Sequence, residues 1–390
     1  MMFFSALEIV LLSGSGLFFL LQVLYFCCYL WKPVRYSCRL RKGIIPEGTA
    51  TPSVSVIVCE QNESENLARF LPAILEQDYP QYEVIVVSMG SSEKSEEVLG
   101  AMKDKYRHLY HTYVPEGARL SKKKLAIAIG IKAAKYDVLL FTEASCRPLS
   151  HHWIRSMAGN FDGHTDIVTG YGALPKTKGF IGKSSVFDNL ISALRAFSLT
   201  LMKKPYTARG TNLAYRKDLF LKGKGFQQYL YLQDGADDLF VNSEATPSNM
   251  RIAISPESVT MMDACNFDIW EDIKIRQLAT RRFYKGGQQM LWNAESATRF
   301  GFWIFAVTSF VVAEQWIVIS AVVAGLIVIR WCLLGLVVNK AARILQQDEK
   351  FYWSIPLLDI ARPFFYLYFH ISHFFKKKSD YTHISKHGRY

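Results

Sequence analysis

The sequence lacks the cysteine patterns of a disulfide framework or a zinc site. It has seven cysteines, and none of them shows a Cys-x-x-Cys or a Cys/His metal spacing. Cys27 and Cys28 lie in the first apolar stretch and Cys332 lies in a later one. This pattern fits a reduced, cytosolic protein without disulfides.

The chain also lacks the features of a cleaved signal sequence. The first apolar run, Leu11 to Trp31, is longer than a signal core, no Lys or Arg precedes it, and no small-x-small cleavage site follows. Basic residues follow it instead: Lys32, Arg35, Arg39, Arg41 and Lys42. Because basic residues beside a span stay in the cytosol, we predict a transmembrane anchor over residues 1–42 and a cytosolic globular domain.

Apolar residues make up 50% of the chain but are unevenly distributed. Most of Phe300 to Val338 is apolar, and about 20 apolar residues cross a bilayer. We predict a transmembrane hairpin over residues 298–338, with a turn at Glu314-Gln315 and with Arg330 facing protein or water. The ordinary composition of the centre excludes a multi-pass channel and favours a membrane-anchored enzyme at the inner (plasma) membrane.

Two segments near the hairpin have a mixed character. Residues 266–295 combine aromatic and basic side chains, which favours an interfacial helix region. Residues 351–375 are rich in aromatic side chains but are interrupted by Pro356, Asp359 and Arg362, so a third span and an interfacial segment both stay open. A basic tail, residues 376–390, follows.

Acidic residues are too few to balance the basic ones, and the net charge is +12. Nucleic acid is one partner that such a charge attracts. Much of the basic charge, however, lies beside apolar spans, for example at Arg281, Arg282 and Lys285. We therefore expect membrane lipid headgroups and a phosphorylated donor as partners, and no nucleic acid.

The centre alternates short apolar runs with segments of helical periodicity. The predicted strands are residues 54–59, 82–87 and 137–142, and the predicted helices are residues 62–77 and 121–135. This alternation predicts an α/β fold with a parallel sheet. Ligands bind such sheets beyond the carboxyl ends of the strands. We therefore expect three loops to share one cleft: Glu60-Gln-Asn-Glu63, Ser88-Met-Gly-Ser-Ser92 and Glu143-Ala-Ser145.

Two adjacent carboxylates, Asp237 and Asp238, follow a glycine and precede an apolar run. In a sugar transferase one of them would be the base that deprotonates an acceptor hydroxyl. The alternative interpretation is a helix N-cap with a first-turn acid. Lys122 to Lys124 open a helix near the cleft, which we interpret as a solvated basic face, with phosphate steering as the alternative.

Several motifs, in this order, resemble those of family-2 glycosyltransferases. They are Val54-Ser-Val-Ile-Val-Cys-Glu-Gln-Asn-Glu63, Gln77-Asp-Tyr-Pro80, Tyr82-Glu-Val-Ile-Val-Val87, Asn212-Leu-Ala-Tyr-Arg216 and Gly235-Ala-Asp-Asp-Leu239. The resemblance covers roughly residues 50–290. It implies a GT-A type, Rossmann-like mixed sheet over residues 50–265, flanked by N- and C-terminal transmembrane helices, with an activity of the hexosyltransferase type.

The resemblance also implies roles for single residues. Glu63 and Ser88 fall at donor-binding positions, and Glu143 and Ser145 fall where the family has the Asp-x-Asp that binds Mg²⁺ or Mn²⁺ and the donor diphosphate. Glu143 is the one expected metal ligand, because a neutral serine is a poor substitute for a carboxylate. The family's Gln-x-x-Arg-Trp motif aligns with Arg276 or, shifted, with Gln277 and Arg281, and both alignments stay open.

We expect an inverting glycosyltransferase that moves a sugar from a nucleotide-diphosphate donor to a lipid-linked or polysaccharide acceptor hydroxyl. Asp237, or Asp238 after it, is the expected base. The alternative is a non-catalytic, membrane-anchored relative that binds a nucleotide or sugar and has lost its metal site. A lipid-surface scaffold without nucleotide affinity is a third interpretation.

Overall fold

The structure is a computed structural model that describes residues 5–46, 48–90, 93–115, 121–312 and 316–375. Its strands are β1 (Val54–Glu60), β2 (Tyr82–Ser88), β3 (Leu109–Tyr113), β4 (Val138–Glu143), β5 (Cys146–Pro148), β6 (Ile167–Thr169), β7 (Gly172–Ala173), β8 (Leu213–Arg216), β9 (Met250–Ile252) and β10 (Thr260–Met262).

The helices are α1 (Ala6–Leu24), α2 (Lys32–Arg41), α3 (Ser64–Leu75), α4 (Glu93–Lys105), α5 (Lys122–Ala133), α6 (Trp153–Ala158), α7 (Gly179–Leu201), α8 (Lys217–Lys222), α9 (Asp238–Glu244), α10 (Phe267–Arg281), α11 (Gln288–Val312), α12 (Trp316–Ile344) and α13 (Ile355–Phe375). A π-helical segment, Tyr25–Leu30, joins α1 to α2. The three strands and two helices predicted from the apolar pattern are all present, with bounds shifted by one or two residues.

A seven-stranded sheet in the order β3-β2-β1-β4-β8-β6-β9 forms the centre of the domain. The first four of these strands are parallel, whereas β8 runs antiparallel to both β4 and β6. The sheet is therefore mixed. Strand β8 begins at the end of the sheet where β4 finishes, so the two strands run in opposite directions. A smaller sheet, β5-β10-β7, lies beyond the end of β4.

Strand β1 is buried along its whole length because helices cover both faces of the sheet. Val56 and Val58 pack in one core with Leu71 of α3, whereas Ile57 packs in another with Ile127 of α5. Alternate side chains of a strand point to opposite faces, so a continuous apolar run is what two covered faces require. Each large aliphatic side chain buried in this way stabilises the fold by about 1.5–3 kcal/mol relative to an exposed one.

The carboxyl ends of β1, β2 and β4 lie side by side. The Met89 amide donates to the Glu60 carbonyl at 2.8 Å, and the Ala144 amide donates to the Cys59 carbonyl at 3.0 Å. The loops that follow these strands are thus neighbours at one edge of the sheet, as expected of parallel strands. Ser91 and Ser92 of the second loop lie outside the described residues.

Two helices in the described ranges are long and apolar enough to cross a membrane, Ala6–Arg41 and Ile317–Ile344. The first falls in the predicted anchor and the second in the second half of the predicted hairpin. Helices α11 and α13 do not meet that criterion. The predicted turn at Glu314-Gln315 and the predicted basic tail lie outside the described residues.

The segment predicted as one interfacial region, residues 266–295, divides into two helices. Helix α10 ends at Arg281, and α11 begins at Gln288, after Gly286, whose φ of +97° favours glycine. Helix α10 packs against α13 through aromatic rings, with the Trp270 and Phe365 centroids 4.9 Å apart. The pair Gly286-Gly287 is the sequence signal of this break, and the prediction of a single region did not use it.

Buried charges link several of the helices to one another. Lys274 of α10 and Asp188 of α7 form an ion pair in which both side chains are almost fully buried. Arg330 of α12 pairs with Asp359 of α13 and donates to the Gln22 side chain of α1 at 3.3 Å. The expectation that Arg330 faces protein is therefore confirmed.

Candidate active site

A cavity of about 600 Å³ lies between the end of β4, the loop before α9, and helices α7 and α10. Five residues predicted from the sequence line it: Glu143, Asp237, Asp238, Arg276 and Arg281. Apolar side chains also line it, among them Phe197 of α7, Leu278 of α10 and Phe369 of α13. The cavity wall therefore combines charged and apolar side chains.

Lys123 connects the two acidic loops of the cavity. Its Nζ lies 2.8 Å from Glu143 Oε1 and 3.3 Å from Asp237 Oδ2. The three side chains are 20–30% exposed, so the group faces the cavity but is partly shielded from water. The structure thus brings Glu143 and Asp237 together around one ammonium group.

The electrostatics of this group follow from its two carboxylates and one cation. The charge of Lys123 lowers the pKa of Glu143, against the effect of burial. Burial lowers the pKa of Lys123, but Asp237 and Glu143 outweigh it and hold that pKa well above its ordinary value. Lys123 therefore stays charged at neutral pH.

The first turn of α5 also holds the loop that carries Asp237. Ser121 caps the helix and donates through Oγ to the Gln233 carbonyl at 2.7 Å. Lys124 is 2% exposed, and its Nζ donates to the carbonyls of Tyr229 and Leu232, both at 2.7 Å. Interpreting the lysine run as a solvated basic face is therefore wrong for Lys123 and Lys124, and only Lys122 is exposed.

A signal for this arrangement was present in the sequence. Lys124 precedes Ile127 by three residues and Ile131 by seven, which is the spacing of one helix face, and both isoleucines are buried. A lysine on the apolar face of a helix needs oxygen partners, because an unpaired buried ammonium is costly. That spacing could have placed Lys124 inside the protein.

Asp237 stands at the N-cap of α9 but makes no capping hydrogen bond with its side chain. Its carboxylate instead lies against Gly210, where an added Cβ would come within 2.4 Å of Oδ2. Gly235, two residues earlier, has φ +95°, which favours glycine and turns the loop into the helix. Both glycines thus bring the Asp237 carboxylate to the cavity wall.

Asp238 has different surroundings from its neighbour. Its Oδ2 accepts hydrogen bonds from Thr280 Oγ1 at 2.5 Å and from the Tyr284 hydroxyl at 2.8 Å. Burial raises the pKa of Asp238, although these two donors oppose that effect. The side chain therefore ties α9 to the end of α10, and the structure separates the two carboxylates that the sequence treated as equivalent.

Basic side chains from α10 line the cavity. Arg276 pairs with Asp272 at 2.8 Å and with Asp234 at 3.4 Å, and its side chain is 50% exposed. Arg281 donates to Asn293 Oδ1 at 3.2 Å. Arg276, Gln277 and Arg281 all line the cavity, so both alignments of the Gln-x-x-Arg-Trp motif remain compatible with it.

Glu63, Ser88 and Ser145 do not line this cavity. Glu63 accepts from Asn66 Nδ2 at 2.9 Å, and burial together with the nearby charge of Glu143 raises its pKa. Ser88 is buried, with its Oγ 3.1 Å from His111 Nε2. The predicted donor residues at the ends of β1 and β2 thus lie beside the cavity and not in its wall.

The residues present do not fit a divalent cation well. Glu143 already pairs with an ammonium group, and Ser145 offers no charge where a second carboxylate would be needed. No group of three or more His, Cys, Asp or Glu side chains that could hold a metal occurs in the described part of the chain. The predicted contact of Glu143 with Mg²⁺ or Mn²⁺ therefore has no supporting donor set.

Part of the chain that forms the mixed sheet matches a known family. The family model described as glycosyl transferase family 2 matches residues 55–222. This segment of the chain is therefore similar to a glycosyl transferase family 2 domain. The matched segment includes β1 to β4, β8 and Glu143, whereas Asp237 and α10 lie beyond it.

Individual relatives agree with this assignment. The glycosyltransferase AglE of Haloferax volcanii is 30% identical over 124 residues, which are 30% of this chain and 39% of that protein. The match thus spans well under half of this curated relative.

Among solved structures, the mannosyltransferase PcManGT of Pyrobaculum calidifontis, in complex with GDP-Man and Mn²⁺, has a TM-score of 0.50 at 16% identity. That match covers 87% of this chain and 100% of the other. Residues 1–349 of S. aureus TarS, in complex with UDP-GlcNAc, give a TM-score of 0.40 at 16% identity, over 80% and 91% of the two chains. The likeness to PcManGT confirms the predicted GT-A type fold.

Proposed function

We propose that the chain is an inverting glycosyltransferase that uses a nucleotide-diphosphate sugar. The observation that carries the proposal is Asp237, a carboxylate at the wall of the cavity with a cation beside it. The family 2 domain supports the reaction class, and the nucleotide sugars bound to PcManGT and TarS support the donor class. The nucleotide and the sugar stay open.

In this scheme Asp237 is the general base. An acceptor hydroxyl attacks the anomeric carbon of the sugar, its proton passes to Asp237, and the bond to the diphosphate oxygen breaks on the opposite face. Direct displacement inverts the anomeric centre, so one base on the acceptor side is sufficient. Asp238 is less suited to this role because Thr280 and Tyr284 already occupy its Oδ2.

Basic side chains would stabilise the leaving nucleoside diphosphate. Negative charge develops on that group in the transition state, and preorganised cations stabilise it in a site shielded from water. Arg276, Arg281 and Lys123 line the cavity and are candidates for this role. No step in this scheme passes through a metal ion.

The acceptor that the cavity favours is a lipid-linked hydroxyl compound, ahead of a free polysaccharide. The cavity wall contains Asp237 together with Phe197, Leu278 and Phe369, so a polar head and an apolar tail would both find matching surfaces. The two apolar helices support a membrane anchor. With the basic residues Lys32 to Lys42 on the cytosolic side, the domain would face the cytosol.

The competing proposal is a non-catalytic relative that binds a nucleotide or a sugar. Ser145 and the carboxylate-free Ser88 loop favour it, because both replace acidic residues expected of the family. The retained Asp237 at the cavity favours catalysis instead. A measurement of turnover distinguishes the two proposals, because the cavity alone is compatible with either.

The test is release of nucleoside diphosphate by the purified full-length chain in lipid nanodiscs. The donors are a panel of UDP-, GDP- and dTDP-hexoses, and the acceptor is a polar lipid extract. Enzyme activity predicts release that needs the extract and disappears in Asp237→Asn. Nucleotide binding without release from any donor would support the non-catalytic reading, and labelled product in the aqueous glycan fraction alone would contradict a lipid-linked acceptor.

A further inference from the structure

The group formed by Lys123, Glu143 and Asp237 is unusual for a site expected to bind a divalent metal. The Lys123 ammonium lies within 2.8 Å of one carboxylate and 3.3 Å of the other. It is fixed by its position in the first turn of α5, whose neighbours Ser121 and Lys124 are bound to the loop before Asp237. The cation is therefore a built part of the cavity.

The end of β4 offers a poor donor set for a divalent cation. It contributes one carboxylate, from Glu143, since Ser145 is neutral, and the Lys123 ammonium already lies 2.8 Å from that carboxylate. Mg²⁺ and Mn²⁺ prefer sites with carboxylate oxygens, and a divalent ion beside an ammonium group would be repelled. A metal would have to displace Lys123 first.

The ammonium still has capacity to bind an anion. A lysine ammonium has three N–H donors. Glu143 and Asp237 accept two of them, which leaves one donor at the surface of the cavity. A diphosphate oxygen is the kind of acceptor that a charged donor binds strongly.

We propose that Lys123 takes the place of the divalent cation at the donor diphosphate, so that the chain binds a nucleoside diphosphate without metal. This rests on the nucleotide-sugar transfer proposed above. In the reaction, the ammonium contacts an oxygen of the diphosphate as the bond to the sugar breaks. The same ammonium keeps Asp237 next to the reacting face, so one residue links the donor and acceptor sides.

The experiment is isothermal titration of the purified full-length chain with UDP, GDP, CDP, ADP and dTDP, in EDTA and in MnCl₂. At least one nucleotide should bind equally well in both buffers. Lys123→Met should weaken that binding by about 10- to 100-fold, the effect of losing a charged hydrogen bond. Lys122→Met, an exposed lysine one residue earlier, is the matched control and should change nothing.

Two further measurements distinguish loss of the Lys123 ammonium from misfolding of the Lys123→Met variant. Lys123→Arg keeps the charge and should retain binding in EDTA. Mn²⁺ alone, followed by electron paramagnetic resonance, should not bind the wild type but should bind a Lys123→Met/Ser145→Asp double variant, which removes the ammonium and restores a second carboxylate.

Three outcomes would overturn the inference. Tenfold tighter nucleotide binding in MnCl₂ than in EDTA would show that the wild type uses a metal, and so would Mn²⁺ binding by the wild type alone. Equal nucleotide affinity of Lys122→Met and Lys123→Met would show that Lys123 does not contact the nucleotide. Failure of every nucleotide in both buffers would instead reject the proposed function, and this inference with it.

Discussion

The two acidic segments of the cavity differ in their carboxylates. The end of β4 has one carboxylate, Glu143, with Ser145 where the family has a second acid, whereas the start of α9 has two adjacent carboxylates, Asp237 and Asp238. The structure joins the loops through Lys123, at 2.8 and 3.3 Å. The end of β4 thus has one carboxylate fewer than the family, and the Lys123 ammonium lies between its remaining carboxylate and Asp237.

The comparison also separates Asp237 from Asp238. They are adjacent in the chain, yet one faces the cavity beside Lys123 and the other is tied to Thr280 and Tyr284. Identical side chains therefore differ in their surroundings. The difference supports the proposal that Asp237 is the reactive carboxylate, whereas Asp238 fixes the position of α10.

The largest expected effect comes from removing the base. Asp237→Asn keeps the size of the side chain but cannot accept the proton, so turnover should fall by about 10²–10⁴, the usual contribution of general-base catalysis. Nucleotide binding should change little. Steady-state release of nucleoside diphosphate measures the effect, and Asp104→Asn, on the exposed side of α4, is the control. Full turnover in Asp237→Asn would move the base to Asp238.

A smaller effect should follow from displacing the same carboxylate without removing it. In Gly210→Ala the new Cβ would come within 2.4–2.6 Å of the Asp237 carboxylate atoms, which must then shift. A shift of about 1 Å at a reacting group costs up to roughly 10²-fold in rate. The expected result is lower kcat with an unchanged thermal midpoint, and Gly100→Ala, where nothing lies within 4 Å, is the control. Normal kcat would mean that Asp237 does not act from this position.

Tyr284→Phe tests the other carboxylate. The change removes the hydroxyl that donates to Asp238 at 2.8 Å, and a hydrogen bond to a charged group stabilises a protein by about 1.5–3 kcal/mol. We expect a lower thermal midpoint with turnover reduced by less than about tenfold, because Asp238 positions α10 and does not react. Tyr110→Phe, on the exposed strand β3, controls for the loss of a hydroxyl. A loss of turnover as large as in Asp237→Asn, at unchanged stability, would contradict the division of roles.

The smallest effect is a dependence of stability on pH. Lys123 lowers the pKa of Glu143 below its ordinary value of 4.5 in the folded state. The ion pair therefore stabilises the protein above pH 4.5, and this stabilisation is lost as the pH falls through the lower folded-state pKa. The difference in thermal midpoint between wild type and Lys123→Met should narrow below that pH. A difference that stays constant from neutral to acid pH would show that Glu143 and Lys123 do not interact.

Much of the fold could be predicted because the signals are local. The apolar runs of β1, β2 and β4 and the helical spacing of α3 and α5 depend on neighbouring residues, so their bounds were predicted to within one or two positions. The antiparallel insertion of β8 was not visible in the local pattern. The direction of β8 depends on the end of the sheet at which this strand begins. Contacts between residues that are far apart in the sequence decide that.

The candidate site was predicted in part for the same reason. Asp237, Asp238, Glu143, Arg276 and Arg281 were identified by residue type and by motif, and all five line the cavity. Lys123 was misjudged because its two partners lie 20 and 114 positions further along the chain. The contact of Gly210 with Asp237 exists only once the loops meet, so no local pattern could have predicted it.

By itself the sequence determined three central strands and two helices, the apolar segments and the identity of the acidic residues, because each depends on chemistry within a few positions. Only the tertiary structure decided that Lys123 stands between Glu143 and Asp237, and that Asp238 is bound by Thr280 and Tyr284. The physical reason is that a hydrogen bond or ion pair requires atoms within about 3–4 Å. Folding of the sheet and of α10 is what brings residues so distant in sequence to that distance.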